Sequence, residues 1–292
     1  MTAGELILEG KQKRVLKGRL PGTVVFKIKD ELTGGDAAKR ESISEIAVSK
    51  VTQTENVFKL LESKSVPTAF LDRVADRDLL CWDCDMLPLE LVTRRFAWGS
   101  FQFRNPQIKN GTRFESVRTE FFHKKALILP PLVEVAQLIG ESEARKKYLK
   151  GGVWEADVYP DPYIQLGAKW GIAPAKKPVP DQFPLCIDPL LSPSEVSDVE
   201  AVMKKAFEVL EQAWKGVVTE QGPVTLCDMK IEMGRRKKDG KLVIADVVDN
   251  DCWRIWPGGD PKNQLDKQCF FFQHWTFQEQ KSLFAFPNQY MI

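Results

Sequence analysis

The chain is poor in histidine, with only two in 292 residues, His123 and His274, and it has no excess of charge of either sign. Forty-two basic residues stand against 40 acidic ones, a formal charge of +2, so no global field argues for nucleic acid or an anionic membrane as partner. No stretch approaches the ~20 apolar residues of a membrane span. The opening Met1-Thr2-Ala3-Gly4-Glu5 lacks the basic start and apolar core of a secretion signal, and the expectation is a cytoplasmic protein. The kinase signatures are missing as well: there is no GxGxxG loop, no His-Arg-Asp and no Asp-Phe-Gly.

Cysteine is present but not patterned for metal. Six cysteines without a secretion signal favour free thiols over a disulfide framework. Cys81-Trp82-Asp83-Cys84 is a lone CxxC with no second pair, which makes a structural role the expectation rather than zinc or redox chemistry. At 43% apolar and 28% charged residues, the remainder is an ordinary globular composition.

Periodicity divides the chain into three stretches. Residues 1–125 read as a mainly β lobe. Leu6-Ile7-Leu8 leads into the cationic turn Gly10-Lys11-Gln12-Lys13-Arg14, and Thr23 to Ile28 follow the turn Leu20-Pro21-Gly22. From Ala47 to Lys64 an amphipathic helix places Ala47, Val51, Phe58 and Leu61 on one face, and Pro67 ends it. Strands are expected at 68–74, 79–81 and 89–96. Residues 126–191 carry many prolines and read as an irregular connecting insertion with one helix near 133–150.

Residues 192–292 read as a C-terminal α/β lobe. Its helix opens on the capping box Ser192–Glu195 with Pro193 in the first turn, and Val196, Val199, Met203, Ala206, Leu210 and Trp214 form its core stripe. A hairpin of strands 224–233 and 242–248 should follow. Alternation then sets Asp228, Lys230 and Glu232 on one face and Cys227, Met229, Ile231 and Met233 on the other. The return strand meets the acids Asp246, Asp249 and Asp251.

Carboxylates at Glu232 and Asp246, close across a hairpin, would repel unless Mg²⁺ or a lysine stood between them; magnesium typically takes one or two protein carboxylates and fills its remaining positions with phosphate and water. A solvated or structural charge network is the alternative. The turn Gly10–Arg14 could fold over polyphosphate, and Arg94-Arg95 through Gly99-Ser100 and Arg104 offers forked cations for a phosphate monoester.

These segments, in this order, resemble the SAICAR synthetase family, most closely the synthetase portion of the bifunctional animal purine enzyme. The resemblance rests on Leu8 to Arg14, Lys29-Asp30 with Thr33-Gly34-Gly35, and Arg94 to Pro106. Its most specific parts are Asp228 to Gly234 and Ala245 to Pro257.

The resemblance implies an α+β two-lobed fold, an antiparallel β lobe and an α/β lobe with an ATP cleft between them. It implies an ATP-dependent carbon–nitrogen ligase that phosphorylates the carboxylate of CAIR and lets the amine of L-aspartate displace phosphate. Carried over, Gly10, Lys11 and Lys13 meet ATP with Lys230 and Glu232, while Glu232 and Asp246 hold Mg²⁺. Lys230, Glu232 and Asp246 form the catalytic set, Asp30 supports the nucleotide side, and Arg94, Ser100, Arg104 and Arg254 serve the substrate. The expected partners are these small molecules, with a homo-oligomer left open.

Three departures are visible on the substrate side. After Glu120-Phe121-Phe122 the family carries Lys-Asp-Asp, and this chain reads His123-Lys124-Lys125-Ala126, so that an acidic pair has become basic and neutral, a change of about two to three charges. Glu45-Ile46 stands where the family has Gly-Lys, and Asp36 where it has asparagine. The third is the insertion from about Leu127 to Pro184, together with a tail that leaves the family pattern after Asp266-Lys267-Gln268. The pattern implies either an active ligase, on CAIR or a related substrate, or a nucleotide-binding pseudoenzyme.

Overall fold

The computed structural model describes residues 4–34, 39–42, 46–129, 136–151, 153–155 and 157–265. Gly35, Asp36, Glu45, Cys269, His274 and the segment after Leu265 lie outside the described residues. The chain groups into two compact units, residues 1–87 with 205–292, and residues 88–204. This grouping by internal contact is drawn elsewhere than the stretches 1–125, 126–191 and 192–292, which follow composition.

The first unit begins with a five-stranded antiparallel sheet. In spatial order its strands are Leu6–Glu9, Lys13–Lys17, Thr23–Ile28, Asp78–Trp82 and Phe70–Ala75. Val24, Phe26 and Ile28 are buried while Lys27 between them is exposed, the period of two expected of a strand with one covered face. Helix Ile46–Ser63 supplies that cover with Ala47, Val51, Val57, Phe58 and Leu61, each at most 1% exposed. Phe58 meets Phe70 at 5.8 Å between ring centroids. The turn into the third strand requires Gly22 at φ 73°, where a side chain would be strained.

The basic stretch near the start differs in one respect from the sequence reading: Lys13–Lys17 is itself a strand. It pairs Glu9 with Arg14 on one side and Lys13 with Ile28 on the other, so Gly10–Gln12 forms the tip of a tight hairpin.

The later part of the first unit corrects the expected hairpin. The strand breaks at Glu232. Residues Gly222–Ile231 pair antiparallel with Trp253–Pro257, whereas Met233–Arg236 pair with Leu242–Ile244 and with Cys84–Met86. The basic turn between them has Gly240 at φ 72°. Its residues Arg236 and Asp239 form an ion pair. Alternation holds in part: Cys227, Met229, Ile231 and Met233 are at most 2% exposed and Lys230 and Glu232 half-buried, but Asp228, expected on the polar face, is buried at 4% exposure, where it pairs with Arg254.

Helix Pro193–Lys215 forms where the capping box placed it. The Glu195 amide donates to Ser192 Oγ at 3.3 Å and the Ser192 amide to Glu195 Oε2 at 2.9 Å. Val199, Met203, Ala206, Phe207, Leu210 and Trp214 are fully buried along it. Trp214 meets Trp253 edge-on at 5.8 Å.

The second unit holds an antiparallel array of strands Leu185–Ile187, Trp170–Ala173, Tyr163–Gln165, Arg113–His123 and Leu89–Phe96. The stretch 126–191 is thus far more regular than its prolines suggest. Pro160, Pro162, Pro174, Pro178, Pro180 and Pro184 fall between strands, so they set strand ends instead of abolishing strands. The helix expected near 133–150 is the shorter Glu141–Tyr148. It packs on a small sheet of Gln137–Gly140, Lys125–Ile128 and Val158–Tyr159 through a satellite core of Ala126, Ile128, Ala144 and Val158.

Candidate functional site

The first unit brings the cationic hairpin tip and the acidic turn 246–252 together. Lys13 forms an ion pair with Asp246 and also lies over the Phe26 ring, 4.5 Å from its centroid. Asp246 Oδ1 further accepts from the Val247 amide at 2.6 Å. Gly10 and Lys11 are exposed on the tip. Lys29 steadies it from below, donating to the Gly10 carbonyl at 2.9 Å and pairing with Glu9 at 2.6 Å.

Glu232 lies at the strand break, and its carbonyl accepts from the Ala245 amide at 3.0 Å, which sets Glu232 beside the residue preceding Asp246. Lys230 is fixed through its amide, which donates to the Cys252 carbonyl at 2.7 Å. Glu232 and Asp246 are both half-buried and offer hard carboxylate oxygens. That donor set fits magnesium, which needs only one or two protein carboxylates. Among the described residues there is no cluster of three or more histidine, cysteine or acidic side chains of the kind that holds a metal on protein ligands alone.

The acidic turn is anchored to the helix Ile46–Ser63 by side chains that composition alone would assign to the surface. Lys50, 1% exposed, donates to Asp251 Oδ2 at 3.1 Å and to Gln12 Oε1 at 3.0 Å. Gln12 Nε2 donates to the same Asp251 oxygen at 2.9 Å. Gln53 accepts from the Asn250 amide at 2.8 Å, and Thr54 donates to the Val248 carbonyl at 3.3 Å. Burial pushes the Lys50 ammonium down, but Asp251 and Asp249 outweigh it and hold its pKa above the ordinary lysine value.

Lys50 was not singled out from sequence, and Gln12 and Asp251 were named there only as members of the cationic turn and of the acidic group. A signal was there: Lys50 sits three residues after Ala47 and one before Val51, inside the apolar stripe of its helix. Asp30 is engaged by the Ala47 amide at 3.1 Å and by Arg77 at 2.6 Å, so its carboxylate serves the start of that helix. Arg254 is held by Asp228, its register partner on the neighbouring strand, at 3.1 Å.

In the second unit, Arg94, Ser100 and Arg104 come together around Glu120, a residue with no assigned role in the sequence reading. Arg94 Nε and Arg104 Nη2 each pair with Glu120 at 2.5 Å. Arg94 Nη2 reaches Ser100 Oγ at 3.2 Å. Arg104 stacks on Phe122 and Tyr163 at 4.8 and 5.2 Å. Arg94 and Arg104 are 2% exposed and Glu120 6%. Burial pushes the Glu120 carboxyl up, but Arg94 and Arg104 outweigh it and hold its pKa below the usual carboxylate range. Two guanidiniums thus share the Glu120 carboxylate.

His123, at the end of the strand that carries Glu120, is 3% exposed and accepts the Lys125 amide on Nδ1 at 3.1 Å. Burial, aided by the charge of Lys125, pushes its pKa down to about 4. In the CxxC, Cys81 is fully buried and Cys84 partly so, and both are free thiols. Burial pushes the Cys84 thiol up to about 11, which leaves it unreactive at neutral pH. Among the described residues no helix is long and apolar enough to cross a membrane.

The first unit thus combines antiparallel sheets and a covering helix with a lysine-bearing hairpin tip that closes on an acidic turn. The model of the family SAICAR synthetase matches residues 6–159 and 178–283. The chain belongs to the SAICAR synthetase family, ligases of purine biosynthesis.

It is 32% identical over 271 residues to the phosphoribosylaminoimidazole-succinocarboxamide synthase of Roseiflexus sp., covering 92% of this chain and 88% of that protein. It is also 32% identical to the multifunctional protein ADE2 of Gallus gallus, again over 92% of this chain but over only 53% of that protein. The chain thus spans about half the length of that animal relative. A solved SAICAR synthetase in complex with ADP superposes with a TM-score of 0.66 at 22% identity, over 97% of this chain and 96% of that one.

Proposed function

We propose that this chain joins CAIR to L-aspartate at the expense of ATP, through an acyl phosphate, and that it does so in the cytoplasm. The observation that carries the reading is the retention, on one set of contacts, of the hairpin-tip lysine Lys13 and the acidic-turn carboxylate Asp246, in a chain of this family.

In this reading Lys11 and Lys13 neutralise the ATP phosphates, the Gly10 backbone lets them approach, and Lys230 orients the nucleotide. Glu232 and Asp246 would hold Mg²⁺, which would neutralise the phosphate charge. The CAIR carboxylate attacks the γ-phosphorus and ADP leaves. The neutral amine of aspartate then attacks the acyl carbon, the C–N bond forms, inorganic phosphate departs and the amine gives up a proton. No protein nucleophile is needed; positioning and charge carry the rate.

For the substrate's phosphate monoester, the guanidiniums of the Arg94–Glu120–Arg104 group and the Ser100 hydroxyl that Arg94 orients supply the attraction. A buried, paired guanidinium acts here by setting the potential and by aiming Ser100.

The test is release of phosphate from Mg·ATP by the purified protein, with CAIR and aspartate supplied together and each omitted in turn, and with mass detection of SAICAR. Release that needs both, with SAICAR formed, is the expected result. ATP binding without release under any combination would replace this reading with that of a nucleotide-binding pseudoenzyme or of a changed substrate.

A further inference from the structure

We infer that Lys50 is a positioning residue for the nucleotide site: with Gln12 and Asp251 it forms a buried clasp that locks the cationic hairpin tip to the acidic turn. The inference rests on the reading of Lys13 and Asp246 as nucleotide and metal residues.

Three side chains from three distant parts of the chain meet at one point. The Lys50 ammonium donates to Gln12 Oε1 at 3.0 Å and Asp251 Oδ2 at 3.1 Å, and Gln12 closes the triangle on the same Asp251 oxygen at 2.9 Å. Gln12 sits between Lys11 and Lys13 on the tip, and Asp251 lies five residues after Asp246. One cation from the helix therefore fixes both partners of the Lys13–Asp246 contact through their neighbours.

A lysine that only stabilised the helix would more naturally reach solvent along its flexible stem. Here it is 1% exposed and donates to both loops, with a longer contact to the Glu31 carbonyl at 3.5 Å, while Gln53 and Thr54 on the same helix hold the Asn250 amide and the Val248 carbonyl. The helix thus presents a polar edge that templates the turn. A glutamine at position 12 is suited to the task because its amide offers an acceptor to Lys50 and a donor to Asp251 at once. The cation also meets a cost that makes its position unambiguous, since a buried ammonium is tolerated only where it is paired and hydrogen-bonded.

The experiment compares the parent chain with Lys50→Met, Lys50→Arg and Gln12→Ala in two measurements: amide hydrogen exchange, and calorimetric titration with Mg·ADP. Gln12 is half-buried, so Gln12→Ala keeps the test available if Lys50→Met does not fold. Expected are faster exchange at residues 10–13 and 246–251 together in Gln12→Ala and Lys50→Met, with the core of helix Ile46–Ser63 still protected. The same variants should bind Mg·ADP about tenfold more weakly, with Lys50→Arg recovering most of the loss.

Unchanged exchange at either segment in folded Lys50→Met or Gln12→Ala overturns the clasp, as does Mg·ADP affinity of those two variants within about twofold of the parent. A parent chain that shows the coupled exchange but binds no Mg·ADP leaves the clasp standing as structure, and overturns both its positioning role and the nucleotide reading.

Discussion

Lys13 pairs with Asp246, so the cation assigned to the phosphates rests on the carboxylate assigned to the metal. Neither charge is solvated freely: the two side chains are 19% and 23% exposed. Polyphosphate and Mg²⁺ would each take one member of this pair, phosphate drawing Lys13 and the metal drawing Asp246. Binding of the two is therefore expected to be cooperative, each ligand freeing the partner that the other needs.

Lys13→Met should separate the two effects in opposite directions. Without the lysine, Asp246 loses one competing cation, and Mg²⁺ alone should bind more tightly than to the parent. Mg·ADP should bind more weakly by about tenfold, because one charge-assisted contact to phosphate is gone. Calorimetric titrations with Mg²⁺ alone and with Mg·ADP measure both. Weaker binding of Mg²⁺ alone in the variant would mean that Lys13 helps to build the metal site, not that it competes for Asp246.

Glu120 holds two buried guanidiniums with one carboxylate. Glu120→Gln keeps the shape and removes the countercharge, leaving Arg94 and Arg104 buried side by side. The expected cost is about 3–5 kcal/mol of stability, as when one member of a buried ion pair is deleted. Chemical denaturation of parent and variant checks it. A cost under about 1 kcal/mol would mean that water reaches the two arginines and that the group is solvated in practice.

Much of this was legible in the sequence because local rules agreed with one another. The box Ser192–Glu195 and the stripe from Val199 to Trp214 gave one answer for the long helix. The alternation from Cys227 to Met233 separated the buried positions from Lys230 and Glu232 even though the pairing partner differed from the one expected. Pairing was the harder problem. A strand that looks continuous from Val224 to Met233 changes neighbours at Glu232, and nothing in a period of two marks where a partner ends.

The prolines of 126–191 misled for a related reason: they mark the ends of strands only two to four residues long, which carry no periodicity to recognise. The Lys50 clasp and the Glu120 group could not be assembled at all without coordinates, because their members are separated by up to 239 residues along the chain.

His123 supplies a pH-dependent term of known sign. In the folded chain its imidazole is buried, accepts the Lys125 amide and takes a proton only near pH 4, whereas an unfolded histidine does so near 6.5. Between these values the unfolded chain binds more protons than the folded one, so stability should fall as pH drops from about 6.5 toward 4 and should gain nothing further from this residue above 6.5. Glu120 acts lower on the scale, since its pKa lies below the usual carboxylate range. Measurements from pH 5 to 7 therefore separate the two. His123→Asn puts an amide oxygen where Nδ1 accepts the Lys125 amide and cannot titrate. Denaturation midpoints of the parent should decline over that interval while those of His123→Asn decline less. Parallel curves would place the histidine's proton affinity at its ordinary value and its ring in contact with water.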